Sequence, residues 1–419
     1  MKKTKNLSLW SWIPTLYLAE GLPYVAVVTI AGIMYKKLGI SNFDITLYTG
    51  WLYLPWVIKP FWSPFVDLYK TKRQWIIAMQ LLIGVGFAGI AFTIPATFFF
   101  QATLAFFWLL SFCSATHDIA ADGFYLLALD SKNQAKFVGI RSTFYRLATI
   151  LGQGILIIIA GTIEKTTDNP RLAWSVTFIV LAIIFLLFSF YHKIFLPKPD
   201  SDSPAVNISA KILLKNFANT FVSFFTKPGI VRALFFLLTF RFSESQTLAI
   251  LKLFLIDGRD KGGLGMTTSE VGFTYGTIGI IALTIGGIVG GYAASKGGLK
   301  KWIWFMTLSL LLPTVVYVYL AYSQTCNMLI INISIFVEQF GYGFGFTAYL
   351  LYMMHFSDGK QKTSHYAICT GFMALGMMLP GMFSGWLQEL IGYTNFFIWA
   401  VLCGILPACA VLLLRLPEK

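Results

Sequence analysis

Apolar residues in this chain come in long blocks, separated by short polar stretches that carry most of the charge. A helix that crosses a bilayer needs ~20 mostly apolar residues. Twelve blocks reach that length: 9–35, 44–66, 74–96, 102–129, 137–163, 172–195, 229–256, 268–295, 302–322, 327–355, 364–390 and 393–414, numbered here as segments 1 to 12. Most connections are short, and the long one sets six segments on either side of it. The pattern predicts an all-α polytopic membrane protein, with one six-helix bundle over 1–196, a second over 229–419 and a linker over 197–228.

The linker has a pattern of its own. Leu213, Phe217, Phe221 and Phe225 recur every four residues and share a helical face, with Lys211 and Lys215 on the other. An amphipathic helix lying at the cytoplasmic interface fits this spacing; a plain flexible linker is the alternative.

Composition points to the same solvent. The chain is 57% hydrophobic and 12% charged, with a mean hydropathy of +0.71. Soluble domains carry about 25% charged residues, so the surface here must largely face lipid. The net charge of +14 requires no nucleic acid, because basic residues retained in cytoplasmic loops produce it. With both termini inside, 20 of the 32 Lys and Arg residues fall in cytoplasmic loops and tails and 6 in outer loops. Lys2, Lys3 and Lys5 precede an apolar run too long for a signal peptide, so that run is expected to be the first span. The five cysteines, Cys113, Cys326, Cys369, Cys403 and Cys409, lie in or beside apolar blocks without metal-ligand spacing and are expected to pack as small apolar residues. No metal or cofactor is expected.

The halves echo each other. Asp44-Ile45 followed by Gly50 matches Glu270-Val271 followed by Gly276; Lys72-Arg73-Gln74-Trp75 matches Lys300-Lys301-Trp302; and Glu20 in segment 1 matches Glu244 in segment 7. Two pseudo-symmetric halves of six helices are the plan of major facilitator carriers, which bind solute near the membrane midplane. Glycine pairs four apart, Gly286/Gly290, Gly287/Gly291 and Gly381/Gly385, are expected to permit close helix contacts.

Ionisable groups within the blocks cost ~2.5–3.5 kcal/mol each on insertion scales, so they mark function by default. Asp118 and Asp122 share a face of segment 4 and need a cation or a proton nearby, with Lys59 and Arg146 as candidate cations. They form either a set that changes protonation during transport or a permanent ion pair. Arg241 and Glu244 are spaced to pair within segment 7, and Arg241 and Lys252 lie on one stripe suited to an anionic solute. Glu20 and Glu338 have no cation in their own helices and are candidate proton carriers. Gly21 and Pro23 should loosen the helix beside Glu20. His117 relays protons, binds a sugar or is a satisfied interior histidine.

Lys59-Pro60-Phe61-Trp62-Ser63-Pro64-Phe65-Val66-Asp67, Phe112-Cys113-Ser114-Ala115-Thr116-His117-Asp118 with Asp122, Tyr145-Arg146-Leu147 and Phe336-Val337-Glu338 follow in order along nearly the whole chain. Together they resemble the AmpG-type muropeptide permeases of the major facilitator superfamily, with the acetyl-CoA transporters as distant kin. The resemblance implies proton-driven import of anhydromuropeptides across the bacterial inner membrane, by a protein that is not an enzyme. It places Lys59, Asp67, Asp118, Asp122, Arg146, Arg241, Glu244 and Glu338 on charged positions of the family pattern. Read from the residues themselves, Glu20, Asp118, Asp122, Glu244 and Glu338 are the proton-coupling candidates and Lys59, His117, Arg146, Arg241 and Lys252 the substrate-binding ones, and the loop after segment 2 resembles the superfamily's cytoplasmic gate, with Asp67, Lys72 and Arg73. The sequence departs from the family pattern at His117, Glu20, Lys252 and Leu68, where relatives carry other residues. A carrier of acyl-CoA or another organic anion is the alternative. A membrane-embedded enzyme using His117, Asp118 and Asp122 is a more distant one. A monomer is expected, with an anionic amino-sugar peptide, protons and lipid as its only partners.

Overall fold

A computed structural model describes residues 8–202, 210–359 and 361–414. Among them secondary structure is helical throughout, and all twelve predicted segments are helical. Nine helical stretches are long and apolar enough to cross a membrane. Two of these, Thr268–Ser323 and Ser364–Leu413, each contain a glycine with non-helical angles, Gly298 (φ 70°) and Gly392 (φ 76°). Those glycines separate segment 8 from 9 and 11 from 12, because a left-handed φ suits a residue without Cβ. The surface is apolar as lipid requires: Phe92 is 76% exposed, Leu412 69% and Tyr322 84%, while Glu20, Arg241, Glu244, Lys252 and Glu338 within the segments are buried. This inverts the usual distribution of a soluble protein.

By packing, the chain divides into two compact units, 1–30 with 58–214 and 31–57 with 215–419. The end of segment 1 and the first part of segment 2 therefore belong to the second unit. Glycine permits this closeness: a Cβ on Gly50 would lie 2.3 Å from Met382 Cγ, and one on Gly385 2.1 Å from the Asn42 carbonyl. Of the glycine pairs, Gly286 and Gly290 approach the segment 10 backbone at Phe340 and Phe344, and Gly385 approaches Asn42. Gly291 faces open space, and Gly381 meets nothing nearer than 3.8 Å.

Several segments are not the uniform helices predicted. Segment 2 is two helices, Asn42–Trp51 and Leu54–Leu68, and Pro55 sits in the first turn of the second, where its missing N–H is no loss. Segment 7 is likewise broken, into Ile230–Thr239 and Phe242–Ile256. Segment 1 runs through Pro23 as the helix Ile13–Val25 and widens to a π-helix only at Ala26–Ile30. Gly21 serves close packing there: its Cβ would meet that of Ala148, on segment 5, at 2.7 Å. Segment 5 has its own π stretch, Leu151–Leu156, tied to the first by a Gln153–Thr29 hydrogen bond of 3.0 Å.

The linker forms the helix Ala210–Phe225. The side chains of Lys211, Leu213 and Phe217 lie outside the described residues. At its end the buried residue is Phe224, packed on Phe356 and Phe372, while Phe225 is exposed. Ser223 completes the docking with hydrogen bonds to Gln361 and His365.

Candidate functional site

In the first unit, five ionisable side chains from four segments converge. Lys59 Nζ lies 3.9 Å from Asp118 Oδ2. Arg141 Nη2 lies 2.5 Å from Asp122 Oδ1, and its guanidinium stacks over Tyr17 at 4.6 Å from the ring centroid. Glu20 is 8% exposed, feels the charges of Asp122, Asp118, Arg141 and Lys59, and has one carboxylate oxygen, Oε2, without a hydrogen-bond partner among the described residues. Among the described residues, three carboxylates thus face two cations. Fully ionised, the group sums to −1, which one bound proton or one cationic group of a solute would balance.

Arg146, expected beside these carboxylates, is exposed, and Arg141 takes that place. Helical geometry explains the exchange. Arg141 and Tyr145 are four apart and share the face turned to segments 1 and 4, whereas Arg146 is a further 100° round. Arg141 was visible in the sequence as a charge within segment 5; its face was not, because polar residues around it mask the period.

His117 is buried, with Nε2 3.0 Å from Gln80 Nε2; Gln80 Oε1 in turn is 2.9 Å from His192 Nδ1, and His192 Nε2 3.0 Å from the Thr15 hydroxyl. An amide nitrogen can only donate, so His117 accepts there and is a neutral imidazole. Its Nδ1 is buried with no hydrogen-bond partner among the described residues, so the expected satisfied interior histidine is not what the geometry shows.

The second unit holds its charges differently. Arg241 Nε and Nη2 reach the two Glu244 oxygens at 2.5 and 2.7 Å, and Nη2 also donates to the Tyr342 hydroxyl at 2.7 Å. Phe346 covers the guanidinium at 4.9 Å. Arg241 and Glu244 are both nearly fully buried, and the pair is closed on itself. Glu338 accepts from Tyr317 Oη and from Gln339 Nε2, both at 2.7 Å. Lys252, expected on a stripe suited to an anionic solute, is buried, with its ammonium arm on Gly32.

Of the expected gate, the Asp67 side chain lies outside the described residues. Lys72 packs against Gly123, and Arg73 donates to the Leu196 and Lys193 carbonyls at the end of segment 6. The carboxylate at the start of the Lys72–Thr93 helix is Asp202, which accepts from the Lys72 and Arg73 N–H groups at 2.7 and 3.0 Å.

Profile comparison matches residues 15–363 to the Major Facilitator Superfamily. The chain belongs to the Major Facilitator Superfamily. Its job is therefore to carry a small-molecule solute across a membrane, and it is not an enzyme. AmpG-type relatives match along nearly its whole length: it is 26% identical to "Putative transporter AmpG 4" of Rickettsia conorii over 409 residues, 94% of each chain. It is 22% identical to the "Anhydromuropeptide permease" of Escherichia coli K12 over 396 residues, 92% of this chain and 76% of that one. The fold matches crystal structures of a D-xylose-proton symporter (TM-score 0.76, 10% identity, 98% of each chain) and of the nucleoside transporter NupG (TM-score 0.72, 13% identity, 96% of this chain and 99% of that one).

Proposed function

We propose that this superfamily member imports an anionic amino-sugar peptide of the anhydromuropeptide class, coupled to protons, by alternating access. The observation that carries the coupling is the unbalanced cluster of the first unit. Glu20 supplies a buried carboxylate oxygen that no side chain satisfies, beside two carboxylates that already hold the available cations. Proton binding there removes the excess charge, and proton loss restores it. The solute class is supported by the names of the relatives that match over most of the chain. Lys59 is held by Asp118, and Arg146 is the first-unit cation we assign to the solute's carboxylates. Arg241 is committed to Glu244, and we assign it to structural work.

The topology we propose has twelve spans, with the six-segment halves divided at 197–228. It places the protein in the bacterial inner membrane with both termini cytoplasmic, supported by the 20-to-6 bias of basic residues. Uptake of labelled anhydromuropeptide into vesicles, with and without an imposed proton gradient, tests the proposal. Accumulation that needs the gradient is expected, and uptake indifferent to it would remove the coupling. Competition by acetyl-CoA in place of muropeptide would move the solute class to acyl-CoA.

A further inference from the structure

Charge alone would not put Arg141 on Asp122. The Asp122 side chain is 44% exposed, whereas Glu20 is 8% exposed. Opposite charges attract more strongly where water is excluded. A free guanidinium would therefore be drawn to Glu20, whose Oε2 has no hydrogen-bond partner among the described residues and which already feels the Arg141 charge. It lies instead 2.5 Å from Asp122 Oδ1.

The hold on it is aromatic. The guanidinium carbon lies 4.6 Å from the Tyr17 ring centroid and 5.6 Å from that of Tyr125. The two rings meet edge to face, 5.9 Å apart at 81°. A guanidinium is weakly hydrated and stacks on aromatic faces. Both tyrosines are buried, which fixes their rings. Tyr125 is also tied to the helix that carries Arg141, Ser131–Ile150: its hydroxyl donates to the Gln134 carbonyl at 2.5 Å, and Gln134 Nε2 donates back to the Leu126 and Leu129 carbonyls at 3.1 and 2.8 Å. The Tyr17 hydroxyl, by contrast, has no hydrogen-bond partner among the described residues, so the ring is the part of Tyr17 that the site uses. Tyr17 stands one turn before Glu20 in the helix Ile13–Val25. The ring that takes Arg141 thus comes from the same helix as the carboxylate that goes without it.

We propose that Tyr17 and Tyr125 are positioning residues, whose rings bracket the Arg141 guanidinium on Asp122 and so withhold it from Glu20. The purpose of the bracket rests on the proton-coupled reading. If Arg141 paired with Glu20, the excess negative charge would fall on Asp122, where water reaches it and no proton is needed to offset it. The bracket decides which carboxylate is left for the proton, and leaves the buried one.

Magic-angle-spinning NMR of the full chain in lipid bilayers, with isotope-labelled arginine, aspartate and glutamate, tests this without any solute. Arg141 should show a nitrogen–carboxyl contact to Asp122 and none to Glu20, the signals being assigned by their loss in Arg141→Lys, Asp122→Asn and Glu20→Gln. Tyr17→Phe keeps the ring and should leave the contact where it is. Tyr17→Leu removes the ring, so the contact to Asp122 should be lost and one to Glu20 should appear. Tyr17→Met, which fills the space without a π face, gives the same reading if Tyr17→Leu does not fold. An unchanged Asp122 contact in the Leu or Met variant would overturn the bracket, and so would a guanidinium that leaves Asp122 without reaching Glu20. Loss of the contact in Tyr17→Phe would overturn it too, by assigning the hold to the hydroxyl. In uptake assays Tyr17→Leu should lose gradient-driven accumulation about tenfold and retain gradient-free solute exchange, while Tyr17→Phe keeps both. A contact that moves while accumulation keeps its full gradient dependence would overturn the coupling role. Absence of muropeptide uptake by the parent protein would overturn the solute class and leave the contact measurement standing.

Discussion

Both units bury acidic side chains inside lipid-facing bundles, and they treat them oppositely. In the second unit, among the described residues, Glu244 has both oxygens on Arg241, and Glu338 has Tyr317 and Gln339. In the first unit three carboxylates share two cations, the Lys59–Asp118 contact is long at 3.9 Å, Asp122 is 44% exposed, and a Glu20 oxygen is left over. A closed pair has nothing to gain from a proton or a solute. An open set does. The proposed coupling therefore rests on the charges of the first unit, while Arg241 and Glu244 of the second are closed on each other.

The sharpest way to break that contrast is to remove one member of the closed pair. Arg241→Met leaves Glu244 buried without its cation and should cost about 3–5 kcal/mol, while Arg241→Met/Glu244→Leu should recover most of it. Thermal unfolding in detergent reads both. Recovery of stability together with uptake would fix the pair as structural, and stability regained without uptake would return Arg241 to the solute site. The next effect is on transport. Glu20→Gln keeps the shape and removes the titration, so gradient-driven accumulation should fall about tenfold or more with folding unimpaired. Uptake that keeps its full gradient dependence would exclude Glu20. Smaller again is Tyr317→Phe, which removes one hydrogen bond to Glu338 and should lower stability by about 1–1.5 kcal/mol with uptake intact.

The sequence made the helices legible because lipid demands long apolar blocks, and block length survives any detail of packing. It also made the site's acids legible, since a carboxylate in an apolar block stands out by itself. Partners were harder. Arg241–Glu244 was readable because its three-residue spacing lies within one segment, Arg241 standing just before the helix Phe242–Ile256. Arg141–Asp122 and Tyr317–Glu338 join different segments, and no local spacing encodes them. The breaks at 52–53 and 240–241 were hidden for a related reason: the apolar pattern runs straight through both. The Asp44/Glu270 echo between halves has a local cause. Ser41 and Thr267 cap their helices, and each carboxylate returns a hydrogen bond to its cap, a hydroxyl contact at Ser41 and both N–H and hydroxyl contacts at Thr267.

Asp202 carries the comparison to its smallest term. Segment 8 of the second unit starts with a cap closed on itself by Thr267 and Glu270. Segment 3 of the first unit has such a box too, from Thr71 and Gln74, yet it also takes a carboxylate from beyond segment 6. A negative charge on two free N–H groups at a helix start is stabilising by a few tenths to about 1 kcal/mol. Asp202→Asn keeps one acceptor oxygen and loses the charge, so it should cost about 0.5–1 kcal/mol in unfolding and leave uptake within about twofold of the parent protein. If uptake instead falls severalfold at unchanged stability, the contact is a moving part rather than a cap. Asp202 would then take up the gating role that the sequence pattern gave to Asp67, with Lys72 and Arg73 as its partners through their backbone N–H groups rather than their charged ends.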